Sequence, residues 1–344
     1  MKMGLTYSQS GVDRIARGKA KKAISVFSKP AGFARTPFND LFPLNEKEFY
    51  VHTTDGVGTK VLLTQLAEKH WVAGWDAVAM VVNDAIRSGA EPKSITNAID
   101  IADSSGEELN GIFQGIEKAC RESLCYVAGG ETADVKELVK GSSLNPYHLN
   151  ASCFATVEKK KVIDARNLKA GDVIIGMESN GLHSNGFSLV RKALFKQYGG
   201  VYEALNGKGS ELLEECVKPT RIYVKPFLEL AKTVQVKGAV NITGDAFLKF
   251  GKLQGFSKDV GFDFDYFHPQ PIFFEIRDAG KIELREMFET FNMGWGFAAI
   301  VSPSDENSAL KILKSRGVKA AVIGKVVKGN AITVHFKASK IRLK

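Results

Sequence analysis

Strand-like and helix-like stretches alternate through both halves of this 344-residue chain, and glycine-marked polar loops repeatedly follow the strands. In the first half, Phe49–Thr54, Ser94–Ile101, Leu124–Ala128 and Leu149–Val157 read as strands. Helical patterns cover Thr59–Lys69, Trp75–Ser88 and Glu107–Glu122, the second closed by Gly89. The run Glu158-Lys-Lys-Lys161 marks a domain edge. In the second half, strands are expected at Ala170–Met177 (a loop and buried strand), Val236–Ile242, Val260–Phe264, Gly296–Val301 and Ala320–Val327. Helices are expected around Leu189–Leu194 and at Tyr223–Thr233, Pro271–Ala279 and Ser304–Ser315. This pattern, without tandem repeats, predicts a mixed α+β or α/β architecture. The length suits two domains, placed at residues 1–160 and 161–344.

Composition narrows the class further. With 44% hydrophobic and 25% charged residues the chain is neither disordered nor fibrous. It has no apolar run of about 18 residues, and its first ten residues lack the apolar core of a signal peptide. No membrane association and a cytoplasmic location are therefore expected. Cys120, Cys125, Cys153 and Cys216 form no C-x-x-C pair, and the first three lie among apolar residues, where buried thiols are the usual outcome. The net charge of +9 is concentrated in Lys311–Lys344, which carries ten Lys or Arg and no acid. Apolar positions interleave these lysines, so the segment reads as a helix and two strands with solvated charges. Positive charge alone gives only non-specific affinity for nucleic acid, and no aromatic-rich RNA-binding signature is present.

The polar loops carry the chemistry. Asp55-Gly-Val-Gly58 closes a strand and Lys60 follows; such a turn lets backbone N–H groups approach phosphate closely. No Walker motif is present. In the Trp75–Ser88 helix, Trp75, Val78, Ala79, Val82 and Ile86 form one apolar stripe, and Asp76, Asn83 and Arg87 share another flank. A helix apolar over most of its circumference is deeply buried, and a buried carboxylate wants a cation. This points to Asp76 and Asn83 as metal or nucleotide contacts, with Asp84 a weaker candidate. Gly129-Gly-Glu-Thr-Ala-Asp134 offers close backbone approach and the oxygens of Glu131 and Asp134, or else a turn and helix cap. Asp55, Asp76 and Glu131 together would suit Mg²⁺. Leu182-His-Ser-Asn-Gly186 reads as a substrate-binding loop at a helix start, or as an N-capped helix with His183 on the surface. Asn241-Ile-Thr-Gly-Asp245 and Asn292-Met-Gly-Trp-Gly296 are two further polar loops.

The combination resembles the phosphoribosylformylglycinamidine cyclo-ligase (aminoimidazole ribonucleotide synthetase) family over nearly the whole chain. The match rests on Tyr7-Ser8 with Gly11-Val-Asp13, Thr54-Asp-Gly-Val-Gly-Thr-Lys60, Val81-Val-Asn-Asp84 with Gly89-Ala-Glu-Pro92, and Gly129-Gly-Glu-Thr-Ala133. It continues through His183-Ser-Asn-Gly186 with Ser188–Lys192, Pro219-Thr-Arg-Ile-Tyr-Val-Lys225, and Thr290-Phe-Asn292 with Gly294 and Gly296. The resemblance implies a ligase that uses ATP and Mg²⁺ to close the imidazole ring of formylglycinamidine ribonucleotide in purine biosynthesis. It also implies an N-terminal sheet that forms a barrel across a homodimer, beside an α/β second domain. Carried over, Gly32, Asp55, Gly56, Gly58, Thr59, Lys60, Asp76, Asn83, Gly129, Gly130, Glu131 and Thr132 would serve ATP, with Asp55, Asp76 and Glu131 on the metal. His183, Ser184, Asn185, Gly186, Thr243 and Gly244 would face substrate, with His183, Asn185 and Lys60 catalytic.

Two segments depart from the family pattern. Ala31-Gly-Phe-Ala34 stands where a richer glycine segment is usual, and Thr243-Gly-Asp-Ala246 stands in place of Thr-Gly-Gly-Gly. A cleft-facing Asp245 would disfavour phosphate unless Mg²⁺ intervened. The alternative reading is another ATP-using enzyme of the same superfamily, a small-molecule kinase or dehydratase.

Overall fold

Two sheets organise the chain. The computed structural model describes residues 4–11, 31–195 and 208–344, so Val12 and Asp13 of the N-terminal motif lie outside the described residues. The first sheet is built from β1 (Ala34–Arg35), β2 (Asp40–Pro43), β3 (Glu48–Gly56), β4 (Glu91–Ile101), β5 (Tyr126–Asp134) and β6 (Tyr147–Glu158), in the order β1-β2-β3-β6-β4-β5. Its pairings are antiparallel except β4 with β5. The second contains β7 (Val173–Glu178), β8 (Gly238–Asn241), β9 (Val260–Phe264), β10 (Trp295–Val301), β11 (Ala320–Lys328), β12 (Ile332–Phe336) and β13 (Ser339–Arg342), in the order β13-β12-β9-β11-β7-β10-β8.

Helices α1 (Val61–Leu66), α2 (His70–Ile86) and α3 (Glu107–Ser123) accompany the first sheet. Helices α4 (Phe187–Leu194), α5 (Lys208–Cys216), α6 (Val224–Thr233), α7 (Pro271–Gly280), α8 (Leu284–Thr290) and α9 (Glu306–Ser315) accompany the second. Helix α2 begins five residues before the expected Trp75, because its first turn packs on α3. A Cβ on Gly115 of α3 would lie 1.9 Å from the Trp71 carbonyl oxygen, so only glycine allows these helices to approach so closely.

Period-two alternation joins the two halves. In β7 and β10, Ile175, Met177, Phe297, Ala299 and Val301 face a core shared with the first sheet, α2, α6 and α9. Ile174, Ala298 and Ile300 face the opposite way into a second core rich in phenylalanine. Both faces of this sheet are therefore covered, which is why its central strands read as continuous apolar runs.

Two expectations change. Gly129-Gly-Glu-Thr132 is not a turn: it continues β5, paired in parallel with β4 from Thr96–Gly129 through Ile99–Thr132. The basic C-terminus has a third strand, β13, beyond the two expected, and its ten Lys and Arg side chains are exposed. All four cysteines are buried and free. Among the described residues, no helix is long and apolar enough to cross a membrane.

Candidate active site

The polar flank of α2 is buried against the second domain. Asp76, fully excluded from solvent, receives Lys60 Nζ at 2.5 Å and Ser184 Oγ at 2.6 Å on Oδ2, and the Thr220 N–H at 2.7 Å on Oδ1. Lys60 also donates to the Lys218 carbonyl at 2.6 Å. One turn-pair along, Asn83 Nδ2 donates to the Arg221 carbonyl at 2.8 Å, and Asn83 Oδ1 accepts the Tyr223 N–H at 2.9 Å. The seven-residue spacing that aligned Asp76 with Asn83 thus lets one helix face hold Thr220–Tyr223 at two points.

This geometry corrects the expected roles. The buried carboxylate has its cation, but the cation is Lys60, and three donors already occupy both oxygens of Asp76. Lys60, fully buried, is equally committed and does not present its ammonium to a phosphate. Glu131 lies exposed on β5, three inter-strand steps from Asp55 on β3, which is about 14 Å along the sheet. Among the described residues no group of three or more His, Cys, Asp or Glu could hold a metal, so Asp55, Asp76 and Glu131 are not gathered into one cluster.

His183 is also displaced from its expected role. Its side chain is buried, with φ of +59°, and its Nε2 accepts the N–H groups of Asn180 at 3.3 Å and Arg221 at 3.5 Å. Burial, reinforced by the charges of Lys60 and Arg221, pushes its pKa down to about 3 and keeps the ring neutral. Nδ1 is buried with no hydrogen-bond partner among the described residues. Gly296 lies against the ring: a Cβ there would be 2.3 Å from His183 Cε1 and 2.2 Å from Tyr223 Oη. The Asn292 loop braces the same region, its Nδ2 donating to the Gly181 carbonyl at 2.8 Å. His183 therefore orders this loop from within.

The open side of the junction holds a different set. Asp55 ends β3 exposed, its Oδ1 accepting the Gly56 N–H at 2.8 Å. Desolvation, and then the like charge of Asp84, hold its carboxyl above the ordinary value; the Gly56 amide, Lys249 and Arg87 pull the other way. Asp84 pairs with Arg87 at 2.8 Å and accepts from Asn241 Nδ2 at 2.7 Å across the domain junction. Thr59 and Ser188 meet through their hydroxyls at 3.3 Å. Asn185 Oδ1 accepts the Gly244 N–H at 2.8 Å, leaving its Nδ2 buried with no partner among the described residues. Gly186, at φ +77°, opens α4 without a side-chain cap. Gly32 and Gly58 are exposed.

Thus the structure brings Lys60, Asp76 and Ser184 into one buried knot, and Asn185, Thr243 and Gly244 into another group beside Asp55 and Thr59. Gly129, Gly130, Glu131 and Thr132 stand apart. Sequence reasoning missed Thr220, which the Pro219–Lys225 motif contained, and Lys249, whose one signal was an isolated lysine between Phe247 and Phe250.

Residues 39–157 match the family model for the N-terminal domain of AIR synthase related protein, and residues 169–337 match that for its C-terminal domain. Over 97% of its length the chain is 37% identical to the phosphoribosylformylglycinamidine cyclo-ligase of Bacillus cytotoxicus, of which it covers 98%. It is 36% identical to that of Bacillus cereus (strain AH187), covering 99%. Among solved structures it is similar to the HypE-HypF complex, with a TM-score of 0.65 and 18% identity over 95% of this chain and 98% of that one. It is also similar to T. maritima PurL complexed with FGAR, with a TM-score of 0.66 and 14% identity over 94% of this chain and 49% of that one. At these identities the structural likeness is one of fold.

Proposed function

This chain belongs to the AIR synthase related protein family, and from that membership we propose that it closes the imidazole ring of formylglycinamidine ribonucleotide at the expense of ATP. The products are aminoimidazole ribonucleotide, ADP and phosphate, in purine biosynthesis. The observation that carries this reading is the end-to-end match to cyclo-ligases, 37% identical over 97% of the chain. Phosphorylation turns the formyl oxygen into a leaving group; a nitrogen of the amidine side attacks that carbon and gives up a proton, and phosphate departs. Such a reaction asks the protein for positioning and charge neutralisation rather than for a nucleophile.

In this reading the cleft beside Asp55 holds the reacting groups. Its exposed, desolvated carboxylate suits Mg²⁺, which usually takes one or two carboxylates and completes its shell with phosphate oxygens and water. Bound there, the ion would neutralise phosphate charge. Asp76 does not fit as a ligand, because its oxygens already accept from Lys60, Ser184 and Thr220. Gly56, Gly58 and Thr59 offer backbone and hydroxyl groups to the nucleotide. Lys60, Asp76, Asn83, His183 and Ser184 act behind this surface by locking the domains together.

We assign residues 1–160 to ATP binding and dimerisation and 161–344 to the second domain. The homodimer would form at β5, the edge strand of the first sheet, where Tyr126 and Val127 are exposed and the side away from β4 has no neighbouring strand among the described residues, a template for strand pairing. Gly129, Gly130, Glu131 and Thr132 would then lie beside the interface. Expression in a bacterial strain lacking its own cyclo-ligase tests the reading: growth without added purine is expected, and failure to grow despite abundant folded protein would count against it.

A further inference from the structure

Lys249 is a cation that none of the family motifs accounts for. It stands in the 3-10 helical stretch Ala246–Gly255, between residues that enter the second core. Its ammonium turns back to donate to the Asn241 carbonyl at 3.2 Å and to the Thr243 hydroxyl. Those two acceptors flank the turn Thr243-Gly-Asp-Ala246, in which Asp245 and Ala246 hold φ of +67° and +35°. Consecutive non-glycine residues in the left-handed region are strained, and such strain persists only where the surroundings over-determine it. Here Lys249 holds one side of the turn, and Asn185 holds the other through the Gly244 N–H at 2.8 Å.

The charges around this ammonium are mixed. Asp84 on α2 and Arg87 just after it face the ammonium, with Asp245 and Lys252 from its own stretch and Asp55 from the end of β3. Three carboxylates thus lie around this ammonium and would repel a phosphate brought near the turn, and Lys249 is the ammonium bound directly to the turn among them. Through the Asn241 backbone, and from the Asn241 side chain to Asp84, it also belongs to a polar chain that crosses between domains. Burial lowers its pKa to about 8, with Asp84 partly opposing that effect.

We propose that Lys249 is a positioning residue for the ring closure: it fixes the strained Thr243–Ala246 turn and offsets the acids of the cleft, so that a phosphate-bearing substrate can approach Thr243 and Gly244. This role rests on the cyclo-ligase reading given above. The test is steady-state kinetics with formylglycinamidine ribonucleotide and ATP for Lys249→Met, Lys249→Arg, Asp245→Asn and the Lys249→Met/Asp245→Asn pair, with melting temperatures alongside. Lys249→Met is expected to raise KM for the ribonucleotide about tenfold or more while KM for ATP stays near that of the parent. Lys249→Arg should recover part of the loss, because it keeps the charge. Asp245→Asn should recover part in the Met background, because it removes an acid that Lys249 offsets. If Lys249→Met does not fold, Lys249→Arg carries the test, with a smaller rise confined to the ribonucleotide KM. Unchanged KM values, or a uniform fall in kcat that tracks lost folded protein without recovery in the paired variant, would overturn the role. A parent enzyme that turns over no ribonucleotide would overturn the assigned reaction, and this role with it.

Discussion

Lys60 and Asp76, sixteen residues apart, meet at 2.5 Å with both side chains wholly excluded from solvent. Around that pair the structure gathers Ser184, Thr220 and the Lys218 carbonyl, so two further segments of the chain converge on one carboxylate and one ammonium.

Breaking a buried pair leaves the surviving charge uncompensated, at a cost of about 3–5 kcal/mol. Asp76→Asn and Lys60→Met should each destabilise the protein by an amount of that order. A combined Lys60→Met/Asp76→Leu variant should lose less than the two single losses together. Urea unfolding of the four proteins checks this. Single variants as stable as the parent would show that the pair does not lock the domains.

Asp55 should behave in the opposite way. Because its folded pKa is raised, mainly by desolvation, the native state takes up the proton more readily than the unfolded state, and stability declines as pH rises through that range. At neutral pH the carboxylate therefore burdens the fold. Asp55→Asn should melt at or above the parent temperature, yet lose turnover about 100-fold or more, and lose the thermal stabilisation that Mg²⁺ with ATP is expected to give the parent. A thermal-shift titration decides; full retention of the ligand-induced shift would remove Asp55 from the nucleotide site.

His183 gives a pH signature. Its folded pKa of about 3 lies below the ordinary 6.5, so between those values the unfolded chain binds the extra proton. Its contribution to stability is complete above about pH 6.5 and falls by up to about 1.4 kcal/mol per pH unit as the medium is acidified towards pH 3. His183→Gln keeps an acceptor and removes the titration. The parent should lose stability more steeply than this variant between pH 6.5 and 4, as melting temperatures across that range would show. Parallel curves would mean that the ring is protonated without penalty.

Gly296→Ala should be disproportionately damaging for one methyl group. The new carbon would sit 2.2 Å from Tyr223 Oη and 2.3 Å from His183 Cε1, both in buried side chains. Overpacking of this kind costs about 1–3 kcal/mol. Turnover should fall with stability, since the shift reaches the His183–Asn185 loop. Chemical denaturation and an activity assay on one preparation check both effects.

Much of this could be read in the sequence, down to the point where a partner had to be chosen. Helical periodicity placed Asp76 and Asn83 on one buried flank, and physical chemistry demanded a cation for the carboxylate. Nothing in spacing said whether that cation would be a metal or Lys60, because the answer lies in how the Gly58–Lys60 turn meets α2. At Gly129–Thr132 the local signal pointed the wrong way: paired glycines weaken a strand, yet pairing with β4 overrode that preference. His183 read as a substrate-facing residue, with a surface position as the alternative, because its neighbours are polar, but the ring is buried and accepts the Asn180 and Arg221 N–H groups. Lys249 carried almost no signal, since its role arises from a turn closed six to eight residues earlier and from acids on other elements.

The central claim is the reaction itself, and its most direct test is ADP release from ATP and Mg²⁺ with and without formylglycinamidine ribonucleotide, coupled to mass detection of the product. The account predicts ADP formation that depends on the ribonucleotide, matched one to one by a product lighter than the substrate by the mass of one water. ATP turnover that ignores the ribonucleotide, or a ribonucleotide recovered intact from folded enzyme, would contradict it.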